Sequence, residues 1–340
     1  MERLVIGVDM SKASFTAAVW DGVNAIALGE YCNTQTGYAD LSRQVAEWQQ
    51  RTTSLAIHVI VEVTGGYELG LVTYAYTQGW AVSLPGCPLG PKQVRDWAKG
   101  EGKRAKTDRL DAQLLTRFGV KQQPQPQQPL PTEVRELDNL LARRQDLEQM
   151  LRQERNRQGD LQGRPGVPAS VTNNLQRVIE ALEQALAEIE QAIQQLLQVH
   201  NHLQVAMERL LALPGIGKKN VLPLLVLLER WHTLTNGQGS AKGLTALAGL
   251  DPQVYESGSS VRKHRAISRM GDKEVRRLLY MGVLGGVRGD NPLRTFYQRL
   301  VGRGKAKKLA LVAASRKLLT WAWAVFSTDA DWNPALYPVT

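Results

Sequence analysis

The hydrophobic pattern changes period along this chain. The short apolar run LVIGVD (4–9) has the composition of a strand buried on both faces. FTAAVWDG (15–22) ends in a turn signal, and AIALGEYCN (25–33) continues a three-stranded meander. YADLSRQVAEWQQ (38–50) changes to helical spacing, and LAIHVIVEVTG (55–65) is again a β-branched run. YELGLVTYAYTQG (67–79) predicts a helix closed by Gly79, WAVSLP (80–85) a strand, and KTDRLDAQLL (106–115) another helix.

The order βββαβαβ followed by a helix predicts a mixed sheet flanked by helices over residues 1–121. That is the order of the α/β ribonuclease-H-like, or RuvC-like, fold. Within 122–132 the segment QQPQPQQPLP cannot hold a helix and predicts a Pro/Gln linker. Residues 133–204 then carry two long helices, broken at GRPGVPAS (163–170). The second has a seam of Leu175, Ile179, Leu182, Leu186, Ile189, Ile193 and Leu196. This spacing of fours and threes is a heptad register, so the helices form a coiled-coil spacer or dimerisation arm, paired with each other or with another chain. Residues 205–340 predict a mainly α C-terminal domain, with Trp321 and Trp323 packed in its core.

The charge balance narrows the choice of partner. With 42 Lys+Arg against 32 Asp+Glu, a net +10, the chain suits a polyanion, nucleic acid ahead of an acidic membrane surface. Its two cysteines, Cys32 and Cys87, have no metal-ligand spacing, which argues against a disulfide framework and a zinc module. The N-terminus lacks a signal-peptide pattern, and the longest apolar run, NVLPLLVLL (220–228), is too short to span a bilayer. A cytoplasmic protein without a membrane partner is expected.

Several acidic residues fall where the pattern predicts burial. Asp9 ends an apolar strand and Glu62 ends another, and a buried charge costs several kcal/mol unless paired or metal-bound. Asp108 and Asp111 stand three positions apart and share a helix face. In a ribonuclease-H-like sheet the two strands are neighbours, with the later helix packed across their ends. Asp9, Glu62, Asp108 and Asp111 would then converge as hard oxygen ligands for one or two Mg²⁺ ions, able to clamp a scissile phosphate. The bland alternative is a set of solvated surface carboxylates.

Two further stretches point to phosphate. LPGIGKKNVLPLL (213–225) resembles the hairpin of helix–hairpin–helix modules, whose glycines allow close backbone approach and whose next helix start offers N–H groups; Lys218 and Lys219 stand at that point. YESGSSVRKHR (255–265) reads as a polar loop, and SRMGDKEVRRLL reopens a helix carrying Arg276 and Arg277. Ser257 beside Gly258, with Arg262, Lys263, His264 and Arg265 following, has the exposure, backbone freedom and cations that a nucleophilic serine needs. Serines that merely donate hydrogen bonds to phosphate are the alternative. His58 reads as a packed core residue.

Taken in order, GVDMSK, VEVTGGYE, KTDRLDA, the coiled-coil spacer, LPGIG and GLDPQVYESGSSVR…ISRMGDKEVRRLL resemble the DEDD-type transposases of the insertion sequence 110 family. The resemblance spans essentially the whole chain. It implies a RuvC-like domain carrying Asp9, Glu62, Asp108 and Asp111 as metal ligands, with Mg²⁺ as cofactor, and a C-terminal transposase domain carrying a nucleophilic serine. By the Ser-Gly match that serine is Ser257, with Ser259 and Ser260 close by. The resemblance further implies donor and target double-stranded DNA, an element-encoded bridge RNA, and a homodimer that assembles into a tetramer on nucleic acid. The expected setting is the bacterial cytoplasm, associated with the nucleoid.

Two other readings fit parts of the pattern. A RuvC-like, metal-dependent junction nuclease would use water in place of serine and leave no covalent intermediate. A non-catalytic RNA-binding scaffold would need none of the carboxylates.

Overall fold

The computed structural model describes residues 3–52, 56–85, 92–100, 107–257, 261–269, 271 and 273–336; at 92–93, 253–257 and 261–266 it describes the backbone alone. The chain divides into two compact units. One comprises residues 1–129 with 233–238 and 269–271, and the other comprises the remainder.

The first unit is built on a five-stranded sheet. Strands β1 (Arg3–Met10), β2 (Ser14–Trp20) and β3 (Ala25–Cys32) form an antiparallel meander. Helix α1 (Gln35–Thr52) leads to β4 (Ala56–Val61), which pairs parallel with β1, and α2 (Leu69–Thr77) leads to β5 (Ala81–Ser83), parallel with β4. The sheet order β3-β2-β1-β4-β5 is compatible with the ribonuclease-H-like arrangement expected from the sequence. Each parallel step uses a helical crossover.

Helices α3 (Lys92–Gly100) and α4 (Asp108–Gln122) complete this unit. Trp97 of α3 meets Phe118 of α4 edge-on, ring centroids 5.4 Å apart. α4 lies tightly on β1 because the strand offers a glycine: a Cβ on Gly7 would stand 2.3 Å from the Ala112 carbonyl oxygen and the Thr116 nitrogen. Fully buried Thr116 completes the contact, its hydroxyl accepting from the Gly7 N–H at 3.0 Å. Gly119 lets the next turn of α4 approach Val5 and Ile60.

The Pro/Gln segment has a definite place. Its prolines keep it out of helix, and it runs along the edge strand β5. Gln127 N–H donates to the Val82 carbonyl at 2.8 Å, Ser83 Oγ lies 3.0 Å from the Gln125 carbonyl, and Tyr76 donates to the Gln127 carbonyl at 2.9 Å. It thereby covers an edge that would otherwise expose unpaired backbone groups. His58 is buried beneath it in β4, its Nε2 2.8 Å from Ser83 Oγ.

In the second unit α5 (Thr132–Leu161) and α6 (Ala169–Val199) form a helical hairpin. The heptad seam of α6 closes within the chain. Leu175, Ile179, Leu182 and Leu186 pack with Leu151 and Leu161, while Ile189, Ile193 and Leu196 join Leu137 and Leu141 in the main core. Arg155 and Glu183 pair across the hairpin at 2.6 Å.

Around that core stand α7 (Asn201–Leu211), α8 (Val221–Leu234), α9 (Ala241–Leu247), α10 (Lys273–Gly286), α11 (Pro292–Gly302) and α12 (Lys307–Ser327). Among the described residues α12 is the one helix that by length and composition is apolar enough to cross a membrane; most of its apolar window is buried in the core. Trp321 and Trp323, expected in that core, are 2% and 5% exposed.

One element differs in kind from the sequence expectation. YESGSSVRKHR is largely a hairpin, not a loop: β6 (Pro252–Ser257) pairs antiparallel with β7 (Val261–Ile267). Val254, Tyr255 and Val261 are β-formers that suit strands, but the density of Ser, Gly and basic residues reads as a polar loop. Ser268 closes the hairpin root, its N–H donating to the Asp251 carbonyl at 2.9 Å and its hydroxyl bonded to the Asp251 carboxylate.

Candidate active site

The four expected acidic residues are brought to one end of the first unit by backbone and side-chain bonds. Val8 and Val61 are register partners in the parallel β1–β4 pair, and the N–H of Glu62 reaches the Val8 carbonyl at 3.5 Å. Glu62 therefore follows β4 directly beside Asp9. Across the antiparallel pair Asp9 faces Thr16 of β2. The Thr16 hydroxyl donates to the backbone carbonyl of Asp108 at 2.9 Å, fixing the start of α4 at the same sheet end.

Thr107 makes that start abrupt. As N-cap its side chain accepts from Leu110 N–H at 3.3 Å, while Asp111 N–H donates to the Thr107 carbonyl at 2.8 Å. Asp108 and Asp111 thus occupy the first turn of α4, where the helix dipole favours negative charge. Glu62 is 9% exposed, Asp9 and Asp111 are half-buried, and Asp108 is exposed.

No three of these four residues have carboxylate oxygens all within 4.8 Å of one another. The donor set is oxygen alone, which fits a hard divalent cation.

Three further residues neighbour this cluster. Arg95 of α3 places its Nε 3.8 Å from Glu62 Oε1, a cation beside the most buried carboxylate. Glu68 is 5% exposed and organises the turn after Glu62, its Oε2 accepting from Thr64 N–H at 3.2 Å, Gly66 N–H at 3.0 Å and the Thr64 hydroxyl at 3.0 Å. That turn needs Gly65 and Gly66, with φ of +80° and +116°. Thr16 is the third. An acid shortly after Thr-Gly-Gly is a usable local signal for Glu68, whereas Arg95 and Thr16 act across the fold.

The second unit holds the remaining expected residues. Ser257 is the last residue of β6 and faces Val261 across the hairpin; its side chain, like those of Arg262, Lys263 and Arg265, lies outside the described residues, as do Ser259 and Ser260 altogether. Arg262 pairs in register with Glu256, and Lys263 with Tyr255. Arg276 is turned inward, donating to the Ala248 carbonyl at 3.1 Å, and Arg277 is bonded to Glu274 one turn earlier.

In the LPGIG hairpin, Gly215 (φ +93°) packs backbone to backbone on α10, where a Cβ on Gly282 would stand 2.2 Å from the Gly215 carbonyl oxygen. Buried Asn220 holds the turn by accepting from Gly217 N–H at 2.6 Å and donating to the Gly215 carbonyl at 3.0 Å. Lys218 and Lys219 are left exposed on the wall of a cleft of about 1450 Å³, which α5 lines with Arg144 and Arg152.

A family profile for DEDD-type transposases matches residues 6–161, the stretch that carries all four carboxylates. A second, for transposases of the IS116/IS110/IS902 family, matches residues 207–298, from α7 through the LPGIG turn and the β6–β7 hairpin into α11. Along its whole length the chain is similar to the pilin gene-inverting protein of Moraxella lacunata, 30% identical over 99% of this chain and 100% of that protein. The chain belongs to the IS110 family of transposases. The pilin gene-inverting protein of Moraxella bovis is 31% identical over 99% of this chain and its own full length. A 42 kDa protein of insertion element IS900 from Mycobacterium paratuberculosis is 27% identical over 49% of this chain and 40% of its own. As an IS110-family transposase the chain is a DNA-processing enzyme of the transposase and recombinase class.

Proposed function

We propose that this IS110-family protein is an RNA-guided DNA recombinase that joins donor and target DNA through a covalent phosphoserine. The observation that carries this reading is the convergence of Asp9, Glu62, Asp108 and Asp111 on one sheet end, enforced by the Thr16–Asp108 bond. Those residues would hold Mg²⁺, which supplies charge neutralisation at the scissile phosphate. Likeness to proteins named for inverting a pilin gene favours rejoining of DNA over simple hydrolysis.

In this reading Ser257, at the end of β6, attacks phosphorus. An Oγ–P bond forms, the bond from phosphorus to the departing deoxyribose oxygen breaks, and the serine proton passes to that oxygen. A hydroxyl from the other duplex then attacks the phosphoserine and releases Ser257. Ester energy is conserved, so no nucleotide triphosphate is consumed.

Lys218 and Lys219 in the cleft, with Arg262, Lys263 and Arg265 on β7, would contact phosphates, and a bridge RNA would supply sequence recognition by base pairing. The net charge of +10 supports that role. Exchange between two duplexes calls for more than one active site, which favours a homodimer assembling into a tetramer on nucleic acid.

The test is recombination between two plasmids in cells supplying the element's flanking RNA. Recombinant junctions form with the wild type and not with Asp9→Asn, Glu62→Gln or RNA whose pairing segments are scrambled. Junctions that persist after scrambling would remove RNA guidance from the account, and persistence in both carboxylate variants would remove the metal site.

A further inference from the structure

We propose that Glu133, His200 and His202 form a transition-metal site of the zinc class at the root of the helical arm in the second unit. One ligand atom from each lies within 4.8 Å of the others. The three come from two places far apart in sequence. Glu133 stands in the first turn of α5, just after the Pro/Gln segment, and the histidines stand where α6 ends and α7 begins.

His200 is itself that junction. With φ −107° and ψ 77° it leaves the helical region, its N–H donating back to the Leu196 carbonyl at 3.0 Å and its carbonyl accepting from Leu203 N–H at 2.9 Å. A break in the helix thus presents two imidazoles, two positions apart, to the start of another helix. His202 Nε2 is 3.5 Å from Glu133 Oε1. A tetrahedral zinc ion with bonds of about 2.0–2.1 Å spaces its ligand atoms roughly 3.3 Å apart, so this edge already has the required span.

The donor chemistry separates this site from the acidic cluster of the first unit. Two imidazoles and one carboxylate suit Zn²⁺, Co²⁺ or Ni²⁺, whereas Mg²⁺ prefers oxygen and water. With three protein ligands, a water completes four-coordination. Occupancy ties the first turn of α5 to the α6–α7 junction and so stiffens the base of the arm.

The full-length protein, equilibrated with Zn²⁺ alone and dialysed, should retain one Zn²⁺ per chain by elemental mass spectrometry. Co²⁺ should give the strong visible absorption of a four-coordinate site, unaffected by a large excess of Mg²⁺. His200→Ala and Glu133→Gln should each lose the retained metal and the rise in melting temperature that Zn²⁺ causes. In the wild type, peptide mapping should show Zn²⁺ shielding His200 and His202, and not His232, from acylation, a readout that needs no variant to fold. Absence of retained Zn²⁺, retention unchanged in a folded His200→Ala protein, or shielding confined to other histidines would overturn the site.

Discussion

The Thr16 hydroxyl donates to the backbone carbonyl of Asp108, joining strand β2 to the first turn of α4 at 2.9 Å. Thr16 is also the residue directly opposite Asp9. One side chain therefore links the strand-borne and helix-borne halves of the acidic cluster. Thr16→Val keeps the shape and removes the donor. It should lower stability by about 1 kcal/mol, the usual net worth of one hydrogen bond, while reducing recombination well beyond that. Denaturant unfolding alongside a plasmid recombination assay checks the pair of effects. Equal, small losses in both would show that α4 is placed by packing alone.

Gly7 carries the opposite liability, because α4 lies on its backbone. Gly7→Ala should destabilise the protein by about 1–3 kcal/mol as the helix is forced off β1. The matched substitution Gly100→Ala, at an open position, should change stability little. Thermal unfolding of the two variants distinguishes contact from a general glycine effect.

Glu68 positions Glu62 by gathering three donors of the intervening turn. Glu68→Ala leaves those donors without their acceptor and should cost about 1–3 kcal/mol. It should also raise the Mg²⁺ concentration needed for half-maximal activity. Glu68→Gln, which keeps one acceptor oxygen, should restore part of both. A Mg²⁺ requirement unchanged in Glu68→Ala would confine the residue to a structural role.

His58 sets a pH dependence on the first unit. Burial, and then the charge of Arg3, hold its imidazole down at about 4, against an ordinary value of 6.5. The folded pKa lies below the unfolded one, so its stabilising contribution is complete above pH 6.5 and is lost as the pH falls from 6.5 to 4. The loss amounts to about 3 kcal/mol at most. Urea unfolding from pH 7.5 to 4 should show a shallower decline for His58→Asn than for the wild type. Parallel declines would mean that other groups carry the acid sensitivity.

The legible parts of the fold were those where local pattern and tertiary context agree. Both-face-buried β1 and β4 announce themselves as apolar runs, and Asp9 and Glu62 stand out because each ends such a run with a carboxyl group. The α6 seam was equally plain, but its partner was not: heptad spacing marks an apolar stripe without naming the surface that covers it, and here that surface is α5. The β6–β7 hairpin was missed because its serine, glycine and basic residues have the composition of a polar loop. The Pro/Gln segment was correctly non-helical, yet its attachment to β5 depends on carbonyl and N–H positions that composition does not encode. Arg95, Thr16 and Thr116 act through contacts across the fold, beyond the reach of any local window.

The proposed recombination requires both the four carboxylates and Ser257. The direct measurement is a denaturing gel of labelled donor and target DNA incubated with protein, flanking RNA and Mg²⁺, run before and after protease. A slow-migrating, protease-sensitive DNA species should appear with the wild type and vanish in both Ser257→Ala and Asp108→Asn. Cleavage without any adduct, undiminished in Ser257→Ala, would contradict the account and leave a metal-dependent junction nuclease in its place.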